Sequence, residues 1–218
     1  MEPIGKKISI NNELKRKLIH LSSSGIAIFY WFNQKELTLI IISLMFIISL
    51  AFDLARFFSP KFNEMFVKYF GKILRHHELE AKGIVFSGST YLLFSCIILI
   101  FFFPKIIAVM AILIMTVSDT AAALYGKNFG KIHIKNKTLE GSIAFLISGL
   151  FVIFLTPKFD YSIAEYLIAI ITLIITCLSE YLPYDIDDNV TVPIIFASLY
   201  LILIKIFLYN DICLLSVV

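Results

Sequence analysis

Residues 118–142 read S-D-T-A-A-A-L-Y-G-K-N-F-G-K-I-H-I-K-N-K-T-L-E-G-S. The stretch leaves one apolar run that carries a single carboxylate, Asp119, and enters another through Glu140 and Gly141. Between them lies a short glycine-punctuated segment with Lys127, Lys131, Lys135 and Lys137. Two apolar runs of helical length joined by a basic connection read as two membrane helices with a cytoplasmic loop. An acid, a basic loop and a second acid beside a membrane point to metal-assisted chemistry on a phosphate next to a lipid.

Composition extends that reading to the whole chain. Of 218 residues, 59% are hydrophobic and 16% are charged, against about a quarter charged in a soluble domain. The mean hydropathy is +0.89. No polar stretch is long enough for a core of its own, so residues 1–218 read as one all-α, polytopic integral membrane domain. Candidate spans, each of about 20 residues or slightly fewer, are roughly 17–33, 37–55, 84–103, 105–126, 139–156, 162–182 and 190–209. Within residues 58–82, Phe62, Met65, Phe66, Tyr69, Phe70 and Ile73 recur at helical spacing among basic residues, which predicts a helix on the membrane surface.

The basic residues orient the chain. Fifteen lysines and arginines fall before the first span, between spans two and three, and between spans four and five. The opposite loops hold only Lys35, Lys105 and Lys158. The N-terminus is therefore expected in the cytoplasm. The net charge of +3, with no base-stacking surface beside a basic stripe, fits lipid or nucleotide phosphates rather than nucleic acid. Cys96, Cys177 and Cys213 sit singly in apolar runs, a pattern of core-filling thiols rather than disulfides or zinc ligands.

On this topology the polar groups of the spans collect on the cytoplasmic side: His20, Asp53, Arg56, Asp119, Glu140, Glu180, Asp185, Asp187, Asp188 and Asn189. An ionised group at a helix centre costs roughly 2.5–3.5 kcal/mol to insert, so these are expected to face one another, water, a metal or a ligand. From Asp119, positions i+3, i+4 and i+7 are Ala122, Ala123 and Gly126, a face that allows close approach. In G-K-N-F-G-K, Gly126 and Gly130 are expected to supply backbone freedom, and Lys127 and Lys131 to meet phosphate oxygens. The spacing is not that of a Walker A loop. Thr138 reads as an N-cap, placing Glu140 in a first helical turn as either a dipole partner or a metal ligand. Asp187, Asp188 and Asn189 offer oxygens suited to Mg²⁺. Glu13, Arg16, Lys17 and His20 share one helical face, and Asp53 and Arg56 are placed to pair.

Taken together, E-L-K-R-K-L-I-H at 13–20, D-L-A-R at 53–56, S-G-S-T-Y-L-L at 87–93, the stretch at 118–142 and D-D-N at 187–189 resemble the polyprenol kinase family. That family includes dolichol kinases, phytol kinases and CTP-dependent diacylglycerol kinases. The resemblance implies transfer of the terminal phosphate of CTP to a lipid alcohol with a divalent metal, Mg²⁺ or another. It implies catalytic and metal-binding roles for Asp119, Glu140, Asp187 and Asp188. Phosphate binding then falls to Gly126, Lys127, Gly130, Lys131, Lys137, Gly141, Arg16 and Lys17, supported by Glu13, His20, Asp53, Arg56 and Asn189. In a bacterium the implied place is the inner membrane, with the site facing the cytoplasm. The central stretch also resembles phosphatidate cytidylyltransferases, but their C-terminal Lys-Arg, Lys-Asp and His-Gly-Gly elements do not occur here. An ion-coupled transporter is the third expectation, weakened by polar groups gathered on one side.

Overall fold

The computed structural model describes residues 10–71, 85–135, 137–182 and 186–208. Asp185, Cys213 and the 72–82 part of the surface-helix expectation lie outside these residues. The described elements are α1 (Ile10–Ser22), α2 (Ser24–Phe32), α3 (Lys35–Phe58), α4 (Pro60–Phe70), α5 (Gly88–Phe102), α6 (Lys105–Phe129), α7 (Leu139–Leu155), α8 (Ile163–Ser179) and α9 (Asp188–Phe207). A two-residue hairpin, β1 (His133–Ile134) and β2 (Lys137–Thr138), joins α6 to α7. The protein is a helical membrane protein: α3, α6 and α9 are long and apolar enough to cross a bilayer, and α5, α7 and α8 are shorter apolar helices.

The long helix α6 is the centre. Sixty-one per cent of its apolar window is buried, against 17% for α3 and 39% for α9, so α6 is surrounded while the other two face outward. It packs on α1, α2, α5, α7 and α9. Ile107, Met110, Ile112, Ile114 and Met115 are fully or almost fully buried, together with Leu99, Phe145, Phe196 and Tyr200 from its neighbours. Large apolar side chains such as Phe32, Ile40, Ile47, Phe102, Ile147 and Phe154 are exposed on the outer faces. In water so much apolar surface would drive aggregation; in a bilayer it is the solvent contact.

Two local features depart from the sequence expectation. The first span is not one helix. The chain breaks at Ser23, where S-S-S-G supplies hydroxyls that bond back to Ile19 carbonyl oxygen, separating α1 from α2. The glycine-punctuated segment is not a loop over its first half. Gly126, Lys127, Asn128 and Phe129 continue α6, and among the described residues no glycine has a positive φ. These glycines are small where helices touch. A Cβ at Gly126 would lie 2.5 Å from the Thr138 hydroxyl, and one at Gly141 would lie 3.0 Å from the Ala122 carbonyl oxygen. The close crossing of α6 and α7 therefore depends on hydrogen at both positions.

Other expectations hold locally. Thr138 caps α7, accepting from the Gly141 N–H at 3.2 Å. Ser59 and Pro60 start α4, a helix over the described part of residues 58–82, whose Phe62 and Phe66 rings lie against Phe52. Cys96 and Cys177 are buried free thiols.

Candidate active site

The end of the assembly that gathers the C-termini of α3, α6 and α8 with the N-termini of α5, α7 and α9 also gathers the acids. Asp119 sits immediately after a π-helical turn, Ile114–Ser118, inside α6. Such turns widen the helix and recur at functional sites. Here the Met115 carbonyl oxygen lies 3.2 Å from His20 Nε2. Lys17 Nζ reaches from α1 to donate to Asp119 Oδ2 at 2.5 Å, and His20 Nε2 is 3.4 Å from the same oxygen. Lys17 is 3% exposed. An ammonium buried this far is tolerable only with a counterion, and Asp119 is that counterion.

Lys137 forms the second half of the centre. Its Nζ donates to Asp188 Oδ2 at 2.8 Å and lies 3.5 Å from Glu180 Oε1. Asp119 is also near enough for its charge to act on Lys137. Burial works to lower the Lys137 ammonium, but Glu180, Asp188 and Asp119 outweigh it and hold it above the ordinary lysine range. Residues 17, 119, 137, 180 and 188, far apart in sequence, thus share one electrostatic neighbourhood. The hairpin makes this possible, because Lys135 takes the left-handed φ of 54° at its turn and Lys137 follows on the returning strand.

Glu180 carries a separate signature. It follows the last residue of α8, outside the apolar helix. Burial raises its carboxyl; Lys137 opposes this, Asp119 and Asp188 add to it, and the result is about 7. The folded chain therefore holds this proton more tightly than the unfolded chain does. The stability it contributes is full below about pH 4.5 and is lost as pH rises through about 7. Glu180→Gln removes that titration. The variant's thermal midpoint in detergent, relative to wild type, should climb between about pH 5 and pH 8. A difference that stays level across that range would contradict a raised Glu180.

A second polar centre adjoins the first. Asp53, 4% exposed, accepts from the Ser87 N–H at 2.8 Å, the Ser87 hydroxyl at 2.9 Å and the Thr90 hydroxyl at 2.6 Å. Arg56 Nη1 lies 3.6 Å from the other Asp53 oxygen, and its guanidinium sits over the Phe66 ring at 4.8 Å. Asn189 Nδ2 donates to the Gly88 carbonyl oxygen at 3.3 Å, and Asp187 caps α9 by accepting from the Asn189 N–H. The N-terminus of α9 is therefore the seam between the two centres.

The remaining predicted residues are distributed around this seam. Glu13 pairs with Arg16 and with Lys127, whose Nζ is 3.5 Å away. Lys131 is exposed. The Glu140 carboxylate accepts from the Ile132 N–H at 3.2 and 3.3 Å and so ties the start of α7 to the hairpin segment. Ser87 and Thr90 are not among the site residues that sequence points to, and Glu180 is expected from sequence only to face other polar groups, water, a metal or a ligand, with no role of its own. Ser87 and Thr90 lie in a motif of small hydroxyl residues that is ordinary on its own. Glu180 is a single acid at the end of an apolar run, and that was the available signal.

Among the described residues no three acidic, histidine or cysteine side chains converge as a ready metal cage, because lysines occupy the acids. The donor chemistry suits the other arrangement, in which Mg²⁺ is held by one or two carboxylates plus substrate phosphates.

No family profile matches the chain, and no solved structure matches it. Similarity to characterised proteins is nonetheless clear. The chain is 26% identical over 216 residues to CTP-dependent diacylglycerol kinase 1 of Saccharomyces cerevisiae, spanning 87% of this chain and 72% of that one. It is 30% identical over 148 residues to the protein of the same name in Schizosaccharomyces pombe, spanning 66% of each. An uncharacterized protein of Rickettsia prowazekii is 28% identical over 190 residues, spanning 84% of this chain and 90% of that one. These likenesses support the lipid-kinase family and do not select a member within it.

Proposed function

We propose that this chain is a CTP-dependent lipid kinase, one membrane unit with its N-terminus and active site on the cytoplasmic side. It would transfer the terminal phosphate of CTP to the hydroxyl of a membrane lipid alcohol, with diacylglycerol the acceptor that the similar proteins favour. The observation that carries the reading is the convergence of Asp119, Glu180 and Asp188 on Lys137, beside Lys17, at one end of an apolar helix bundle.

Phosphoryl transfer asks little covalent chemistry of a protein and much positioning and charge neutralisation. In this reading Lys137, Lys17, Arg16, Lys127 and Lys131 exchange part of their carboxylate or solvent contacts for phosphate oxygens. The lipid oxygen bonds to the terminal phosphorus, the bond from that phosphorus to the bridging oxygen breaks, and CDP leaves. The hydroxyl proton passes to a carboxylate of this cluster, either Asp119, which Lys17 and His20 contact, or an acid of the Asp187–Asp188 pair. Mg²⁺ arriving with CTP would add neutralising charge at Asp119 and Asp188. Asp53, Arg56, Ser87 and Asn189 hold α3, α5 and α9 in register around the site, and Gly126, Gly130 and Gly141 set the α6–α7 crossing.

The test uses purified protein, Mg²⁺ and CTP labelled either on the terminal phosphate or in the cytidine. Diacylglycerol, phytol, a polyprenol and phosphatidate are offered in turn. Terminal label in diacylglycerol is the expected result. Cytidine label in phosphatidate would replace the kinase with a cytidylyltransferase.

A further inference from the structure

We propose that the lipid acceptor is held in a groove between α2, α3 and α5, its hydroxyl end directed at the seam between the two polar centres; this rests on the kinase reading above. The helix α2 packs mainly on α6, and α3 mainly on α5, which leaves a cavity of about 380 Å³ between them. That is within the size range of small-molecule sites. Ile26, Phe29, Met45 and Leu92 form its apolar walls, and Ser23 and Ser89 its polar end.

Both serines lead to the site. Ser23 follows His20 by three residues at the break after α1, and His20 Nε2 is 3.4 Å from Asp119. Ser89 Oγ is 2.9 Å from Ser87 Oγ, which donates to Asp53. A molecule with an apolar body in this groove would therefore present its polar end between Asp119 and Asp53. That is the shape of an amphiphile with a hydroxyl headgroup. Gly25 also lines the groove, and a Cβ there would meet nothing within 4 Å.

A larger cavity of about 780 Å³ runs between α6 and α7, lined by Leu124, Phe129, Ile147 and Phe151. It does not serve the same purpose. Its α6 residues 121, 124, 125, 128 and 129 lie roughly 140–280° around the helix from Asp119. An occupant there is on the wrong face of α6 for the chemistry.

Gly25→Phe places a bulky side chain in the proposed groove, starting from a Cβ that meets nothing within 4 Å. It is expected to raise KM for diacylglycerol about tenfold or more, as apolar-pocket mismatches do, while KM for CTP and the yield of folded protein stay unchanged. Ala144→Phe, in the larger cavity, is expected to change neither KM. In wild-type protein, diacylglycerol bearing a diazirine in one acyl chain should cross-link to α2 or α3 around Phe29 and Met45. Excess diacylglycerol should compete with it and phosphatidylcholine should not. An active enzyme whose lipid KM ignores Gly25→Phe, or cross-links confined to the α6–α7 cavity, overturns the groove alone. Wild-type protein that moves no phosphate overturns the kinase reading and this proposal with it. Should Gly25→Phe fail to fold, Gly25→Leu and the wild-type cross-links decide the matter.

Discussion

Asp119→Asn is expected to lower lipid phosphorylation at least about 100-fold, the scale on which removing one preorganised charge from an active site acts. The substitution keeps the side chain's size and removes its charge. Two consequences follow from the geometry. Lys17, buried and 2.5 Å from Asp119, loses its counterion, so the variant should also lose stability, by as much as about 3–5 kcal/mol if the ammonium stays charged. Activity and stability then need separating, and the double variant Asp119→Asn/Lys17→Met does so. It removes both charges together, and a buried pair replaced by neutral groups is often no less stable. The double variant should regain much of the thermal midpoint and none of the turnover. Turnover near wild type in folded Asp119→Asn protein would remove Asp119 from the mechanism.

Lys137→Met is expected to have the next largest effect. One ammonium answers Glu180 and Asp188 directly and Asp119 at longer range. Without it, like charges face one another where a polyanionic nucleotide must bind. The Lys137 and Asp188 side chains are 31% and 45% exposed, so water screens part of the structural cost. The functional cost is larger: kcat/KM for CTP should fall about 100-fold, the scale on which losing one preorganised charged contact to the transferring phosphate acts. The stability loss should deepen as pH rises, because Glu180 then ionises without a partner. Lys137→Arg restores the charge with a different shape and should recover stability better than turnover. Wild-type CTP kinetics in Lys137→Met would exclude the hairpin from nucleotide binding.

The apolar helices could be read along the chain because each is a long local run. Lys105–Phe129 and Asp188–Phe207 differ from the expected spans only at their ends. Thr138 as a cap and Asp53 with Arg56 as a pair were equally legible, since both partners lie within one helical turn. The break at Ser23 and the helical state of Gly126 to Phe129 were not. Serine and glycine report a preference for turns, and packing overrules a preference worth about 1 kcal/mol. Glu140 illustrates the same limit: its spacing from Asp119 allows a shared ligand, but the carboxylate is drawn to the Ile132 N–H across the hairpin.

Sequence alone settled that this chain belongs in a membrane, that most of its charges lie between the apolar runs, and that a few acids, Asp119 among them, lie within them. Those are properties of composition and short-range order. Only the tertiary structure decided which charge answers which. The Lys17–Asp119 pair spans 102 positions and the Lys137–Asp188 pair 51. A buried charge must find its partner in space, and nothing local in the chain records how α6, the hairpin and the start of α9 come to meet.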